Sequence, residues 1–462
     1  MIRNILELTK GPPLTQYARQ RALALLNVAL NAANPHLLVE KTIKVTRSTI
    51  QLADNEIGFN DFDGIYVIGA GKATGRMAEA IERLLKDRLV GGLIIVPENT
   101  ITAYTLNQIS LQAGGHPEPT ESSVASTQQL LELIDQSPQD ALIISLFSGG
   151  GSALLTAPSP PLTLEDLQHT TRLLLQAGVP IHQLNTVRKH LSLVKGGRLA
   201  TNIHPRRHWG LLISDVPDDQ LNMIASGPTL PDPTTFADAV QILETHALWE
   251  EVPVRVREHL INGREGKLKE TPKPQDPIFD YAVHLLIGSN QHSCQAVLEQ
   301  AQHENYTSRI LTTNCEGEAR EVGDQLGALA KKLTNQTEPH VLIIGSETTV
   351  TVRHKGKGGR NTELIAAAIP HLEGKDGLVI ASLATDGIDG PTKAAGAIAD
   401  GYSHPRAKTL KLSPVQLLEI NSTYTLFHAL EDLIITGPTH TNVRDITIIL
   451  WIGSDNLLSD NG

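Results

Sequence analysis

The chain has 462 residues, a formal net charge of −11 at pH 7, 3% aromatic residues and 37 glycines. That length exceeds one ordinary domain, so two or three are expected, and plentiful glycine with few aromatics suits an α/β enzyme better than an all-β sandwich. The acidic balance argues against nucleic acid as the main partner, because phosphate backbones demand basic stripes.

Only two cysteines occur, Cys294 and Cys315, which argues against a disulfide framework or zinc ribbon and fits a reducing compartment. No secretory h-region opens the sequence and no apolar run is long enough to cross a bilayer, so a cytoplasmic protein with no membrane partner is expected. In chain order, helical spacing of apolar residues predicts a helix over 14–33. A second helical pattern starts near Pro35 and reaches about Ala53, although the alternation from Val45 to Ile50 suits a strand equally. Strand–helix alternation then begins with "GIYVIGA", "GGLIIVPE", "QISLQAGG", "ALIISLFS" and "WGLLISDVP", with helices at "ESSVASTQQLLELID" and "TLEDLQHTTRLLLQ". This is the pattern of a largely parallel sheet wrapped by helices. From Ile261 to Asp280 the pattern lapses into a polar, proline-bearing linker. A second alternation follows in "YAVHLLIGS", "TSRILTTN", "HVLIIGSETTVTV", "DGLVIASLATDG" and "DITIILW", with a helix at "GEAREVGDQLGALAKKL". The expectation is an α/β protein of two lobes, residues 1–270 and 271–462, with a ligand cleft between them.

The turn "GAGKA" spaces Gly69, Gly71 and Gly75 as G-x-G-x-x-x-G and holds Lys72. A helix N-terminus offers unpaired N–H groups and partial positive charge, so a phosphate or carboxylate suits it. A dinucleotide is the alternative. Glu98 at the end of the next strand supports it, and the displaced third glycine and the lysine oppose it. A tight turn with a solvated lysine is the plainest reading. A Walker A loop fails, with Tyr66 where its first glycine belongs and Ala73 after the lysine.

In "SGGGS", Gly149, Gly150 and Gly151 lie between Ser148 and Ser152 after a buried-looking strand. An anion-binding nest with hydroxyl donors is favoured there over a flexible loop, and neither serine stands in a nucleophile elbow. In "NTVRKHLSLVKGGRLA", Arg188, Lys189, Lys195 and Arg198 gather cations, against the alternative of a solvated basic face. Arg188 and Lys195 share a face if the helix is unbroken, and Gly196-Gly197 brings backbone near a ligand. Asp215 ends an apolar strand, where catalytic or metal-binding carboxylates often sit, while Asp218 and Asp219 suit turn chemistry. Farther on, Glu347 follows a strand, Gly358-Gly359-Arg360-Asn361 opens a helix, and Asp386 and Asp389 stand in a turn. Each cluster alone reads equally as solvated turn chemistry. Together, cations and carboxylates match the needs of phosphoryl transfer. The histidines, including His116 in "GGHPEP", lack ligand spacing and read as structural.

The ordered set "GAGKA", "GGHPEP", "SGGGSALL", "VRKHLSLVKGGRLA", "SDVPDDQLNMIASGPT", "EGEAREVG", "GKGGRNTEL", "ATDGIDGPTKAAGAIAD" and "GPTHTNVRDITIIL" resembles the glycerate 2-kinases of the MOFRL-domain class, over roughly residues 15–453. The resemblance implies a Rossmann-like N-terminal lobe, a smaller MOFRL-type C-terminal α/β lobe, and an active site in the interlobe cleft. It implies ATP-dependent phosphorylation of D-glycerate to 2-phosphoglycerate with Mg²⁺ or another divalent cation. Carried over by motif, Lys72, Asp215 and Arg360 are catalytic. Gly71, Ser148, Gly149, Gly150, Gly151, Ser152, Arg188 and Lys195 contact substrate or phosphate. Glu347, Asn361, Asp386 and Asp389 contact the nucleotide, with Asp386 and Glu347 also on the metal. The implied partners are D-glycerate and ATP, and a homodimer is compatible with the reading. Asp218, Gln220, Ser346, Thr362 and His440 depart from the family pattern. They bear on the shape of the nucleotide pocket and on substrate preference, and none touches the catalytic set. Two rivals stand beside this reading: an NAD(P)H-dependent hydroxypyruvate reductase, resting on the first glycine turn and Glu98, and a non-catalytic binding protein for hydroxy acids or sugar phosphates.

Overall fold

In the computed structural model, which describes residues 1–453, the second helix stops early. It spans Pro35–Thr42 and gives way to a three-stranded antiparallel sheet of β1 (Ile43–Val45), β2 (Thr49–Leu52) and β3 (Asn55–Gly58). The helical pattern expected as far as Ala53 fails because Ile43, Val45, Thr49 and Ile50 are β-branched. Such side chains lose rotamer freedom in a helix and pack well on a pleated surface.

Six further strands form the main sheet of this unit: β4 (Ile65–Ala70), β5 (Leu89–Pro97), β6 (Ile109–Gly114), β7 (Leu142–Phe147), β8 (Arg207–Ile213) and β9 (Ala282–Gly288). Their order is β6-β5-β4-β7-β8-β9, and the ladders from β6 through β8 are parallel. Every residue of β7 is buried, as expected of a strand covered on both faces. Counted from β4, the order is the Rossmann one. It reverses between β4 and β7, and sheets of this kind bind ligands beyond the carboxyl ends of the strands at such a reversal.

β9 carries the "YAVHLLIGS" run that was expected to open the second lobe, yet it lies beside β8. The proline-bearing stretch before it is tied to the same unit, with Asp232 N–H donating to Pro272 O at 2.9 Å. The unit therefore spans Pro35–Ile287, not residues 1–270.

The other unit comprises Met1–Asn34 and the chain from Gly288. Its strands are β10 (Thr307–Cys315), β11 (His340–Ser346), β12 (Leu378–Ala384), β13 (Gly396–Asp400), β14 (Leu433–Ile434) and β15 (Asp445–Trp451). They are ordered β10-β11-β15-β12-β13-β14. β15 runs antiparallel between β11 and β12, so this sheet is mixed. The helix Pro13–Ala32 belongs here. Its fully buried Ala18, Ala22, Leu25, Leu26 and Ala29 join one core with Val341, Ile343, Ile446 and Ile448. Arg19 on that helix is 1% exposed and donates to Asp400 at 2.5 Å and Asp432 at 2.8 Å. Among the described residues no single helix is long and apolar enough to cross a membrane.

Candidate active site

The turns after β4 and β7 meet at the point where the sheet order reverses. The first, Gly71-Lys72-Ala73, leads into the helix Thr74–Leu85. Gly71 N–H donates to Ile95 O (3.2 Å), Lys72 N–H to Gly149 O (2.9 Å) and Ala73 N–H to Ser148 Oγ (3.0 Å). A β-carbon on Gly71, at φ +153°, would lie 2.1 Å from Ser148 Oγ, so glycine is what lets the two turns approach. These bonds engage the three amides of the turn itself, whereas among the described residues the N–H groups of Thr74, Gly75 and Arg76, which open the helix, have no intramolecular acceptor. Beside them stands the partly exposed Lys72 side chain.

The second turn keeps its amides open. Ser148 N–H donates to Ala70 O and Gly151 N–H to Ser148 O, while among the described residues the amides of Gly149 and Gly150 have no intramolecular acceptor. Asp215 stands so close that a β-carbon on Gly149 would fall 1.8 Å from its Oδ2. A β-carbon on Gly150, at φ +84°, would meet Lys72 Cγ at 3.2 Å and His116 Cδ2 at 3.1 Å. Lys72, Asp215 and His116 therefore crowd around two adjacent glycines. His116 lacks metal-ligand spacing and so resembles a structural histidine in the sequence, but the fold brings it to Gly150. The available signal was its position just past β6, one of the strands whose ends face this site. Desolvation of its ring, and then the Lys72 ammonium, lower its pKa to about 4, so it is neutral at pH 7.

The basic segment divides by role. Lys195 is 2% exposed and donates to the carbonyls of Ser152 (2.8 Å) and Leu155 (2.5 Å), bracing the glycine loop from beneath. Burial, and then Arg188, lower its pKa well below the ordinary range. Arg188 donates to the same Ser152 carbonyl at 3.2 Å, and burial brings it down to about 10. Lys189 pairs with buried Asp232 at 3.2 Å and Arg198 donates to Lys269 O, so these two are tied elsewhere. Ser152 Oγ meets Ser226 Oγ at 2.7 Å, and Ser226 Oγ reaches Asn185 Oδ1 at 3.1 Å. Asp218 and Asp219 take left-handed backbone angles, φ +57° and +51°, which is the turn chemistry expected of them.

In the other unit Arg360 opens the helix Arg360–Leu372. A cation there opposes the helix dipole. Asp445, the first residue of β15 and 1% exposed, offsets it by accepting from Arg360 Nε (2.5 Å) and Nη2 (2.8 Å). Arg360 Nη1 lies 3.5 Å from Glu347 Oε1. Burial would lower the Arg360 pKa, but Asp445, Glu347 and Asp386 outweigh it and hold the guanidinium above its ordinary range. Burial pushes Asp445 up, to about 7, against the pull of Arg360.

Asp389 caps the same helix. It accepts from the backbone N–H groups of Asn361 and Thr362, both at 2.9 Å, and from their side chains. Asn361 Oδ1 in turn accepts from Ser382 Oγ. Asp389 and Asn361, expected at the nucleotide, thus have their polar atoms engaged within the unit, whereas Glu347 and Asp386 remain partly exposed. A cavity of about 550 Å³ opens here, lined by Thr348, Val352, Gly358, Arg360, Asp386 and Ile388 among others. Among the described residues no group of three or more carboxylate, histidine or cysteine side chains surrounds a common point. Magnesium at phosphate sites takes one or two carboxylates and fills its shell with phosphate oxygens and water. Glu347 and Asp386, both acting on Arg360, fit that smaller demand.

Two family models match the chain, a domain of unknown function over residues 21–261 and the MOFRL family over residues 340–445. The glycerate 2-kinase of Pyrococcus horikoshii is 39% identical over 444 residues, covering 94% of this chain and 97% of that protein. A crystal structure of glycerate kinase from Thermotoga maritima is similar with a TM-score of 0.83 at 34% identity, over 94% of this chain and 99% of that one. A relative from Agrobacterium vitis, 36% identical over 83% of this chain and 86% of its own length, carries a hydroxypyruvate reductase name. With both matched models in this order, and identities of this size along nearly its whole length, the chain belongs to the glycerate 2-kinase family of the MOFRL-domain class.

Proposed function

We propose that the chain transfers the γ-phosphoryl group of ATP to the 2-hydroxyl of D-glycerate, giving 2-phosphoglycerate and ADP, with Mg²⁺ or another divalent cation. The observation that carries this reading is the meeting of a lysine, a carboxylate and two open glycine amides where the sheet order reverses. The glycerate carboxylate accepts hydrogen bonds from the amides of Gly149 and Gly150, with Arg188 beside the loop. Asp215 orients the 2-hydroxyl and takes its proton as the oxygen attacks phosphorus. Lys72 offsets charge on the phosphoryl oxygens as they move. The nucleotide occupies the cavity beside Arg360, with Glu347 and Asp386 as protein ligands to the cation. When bound, that cation supplies neutralisation of the phosphate oxygens. The names of the relatives support glycerate as the acceptor.

Hydride transfer finds less support. A dinucleotide needs close backbone approach in the first turn, and here Lys72 stands in that turn and the amides of Gly71, Lys72 and Ala73 already have acceptors. The test is turnover of the purified chain with D-glycerate, ATP and Mg²⁺, the product being assigned by ³¹P NMR. We expect 2-phosphoglycerate. A 3-phosphate product would overturn the position of transfer. NADH-dependent reduction of hydroxypyruvate without ATP turnover would overturn the activity.

A further inference from the structure

We infer that Asp445 is a positioning residue for the phosphoryl transfer proposed above, fixing the Arg360 guanidinium so that its remaining edge is presented to the cavity. The inference rests on that reading of Arg360. Asp445 binds one edge of the guanidinium, Nε and Nη2, in a two-point contact. On the Nη1–Nη2 edge, Nη1 makes only the long 3.5 Å contact with the partly exposed Glu347, and Arg360 lines the cavity. A guanidinium held by one edge can still meet a phosphoryl group with the other, because its five donors lie in one plane.

The anchor is rigid. Asp445 begins the central strand β15 and is in register with Ser346 of β11 and Ala384 of β12, so neighbours on both sides fix its backbone. Stability alone does not account for the pair. Burying an ion pair typically breaks even at best, and the dipole of the helix Arg360–Leu372 disfavours a cation at its first residue. Helix capping does not need Asp445 either, since Asp389 already serves the open amides.

The test is a double-mutant cycle on the full chain with D-glycerate, ATP and Mg²⁺. Asp445→Asn keeps the shape and removes the charge. It is expected to lower kcat about 10²-fold, the scale of a small misplacement of a reacting group, with KM for D-glycerate unchanged. In an Arg360→Ala background the same substitution should change kcat by less than about twofold, because residues acting as a unit are non-additive. A merely structural role would multiply the two losses, and that result overturns the inference, as does wild-type kcat in Asp445→Asn. If Asp445→Asn does not fold, Asp445→Glu retains the charge one methylene displaced. Reduced kcat at constant KM then supports the inference, and full activity overturns it. A wild-type chain without kinase turnover overturns the reading of Arg360 and this inference together, whereas an active wild type with an unaffected Asp445→Asn overturns this inference alone.

Discussion

One methyl group is enough to probe the site. Gly149→Ala would place a carbon 1.8 Å from Asp215 Oδ2 and must displace that carboxylate. Its expected effect is a loss of roughly 10²-fold or more in kcat with an unchanged far-UV circular dichroism spectrum. Lys72→Ala removes the ammonium without crowding anything, and kcat with D-glycerate, ATP and Mg²⁺ should fall by about 10²–10³. Lys72, Asp215 and Arg360 stand out as candidates in the sequence because each lies where a strand ends or a helix begins, Lys72 and Arg360 in the company of glycine. Their partners were not. Asp445 is remote in sequence from Arg360, and His116 carries no spacing signal, so only folding brings either one to its neighbour. The engagement of Asp389 and Asn361 was hidden for the same reason, because a sequence does not reveal that a carboxylate already accepts from helix amides.

Among the elements, the helix Pro13–Ala32 shows how far periodicity reaches. The apolar spacing predicts the helix within a residue or so at each end, yet it carries no information about which sheet the stripe covers. That is why the expected division at residue 270 and the observed units differ. β13 was equally hidden, since in "GAIAD" Ile398 is the single β-branched residue, whereas β4, β7 and β15 each carry two or more. Arg19 makes the helix testable. Arg19→Ala leaves Asp400 buried without the guanidinium that now neutralises it, and removing one partner of such a pair typically costs about 3–5 kcal/mol. Urea unfolding followed by fluorescence should show that loss in the unit containing Arg360. A change below about 1 kcal/mol would contradict the account given for buried pairs.

One buried histidine pair should make the whole protein lose stability in acid. His208 is buried with Nε2 2.7 Å from Ser145 Oγ, and its ring packs edge-on against His284 at 5.0 Å between centroids. Burial, and then His284, push the His208 pKa well below its ordinary range, and burial lowers His284 to about 4. An unfolded chain takes up these protons below about pH 6.5 while the folded one resists. The stability they support is therefore complete above pH 6.5 and declines as pH falls toward 4. Between pH 6.5 and pH 4 the melting temperature of His208→Gln should fall less steeply than that of the wild type. With two units, the melt need not be a single transition.

The split composition of the Arg360 unit has a further consequence, at synthesis. Helix Pro13–Ala32 leaves the ribosome more than 400 residues ahead of β15, whose face it covers. At roughly 5–20 residues per second, the apolar stripe of the helix waits on the order of 20–80 s for its permanent cover. Nascent chains arrested before β15 should therefore be held by chaperones that grip greasy segments, and photo-crosslinks placed at Leu25 or Leu26 should report release only once β15 has emerged.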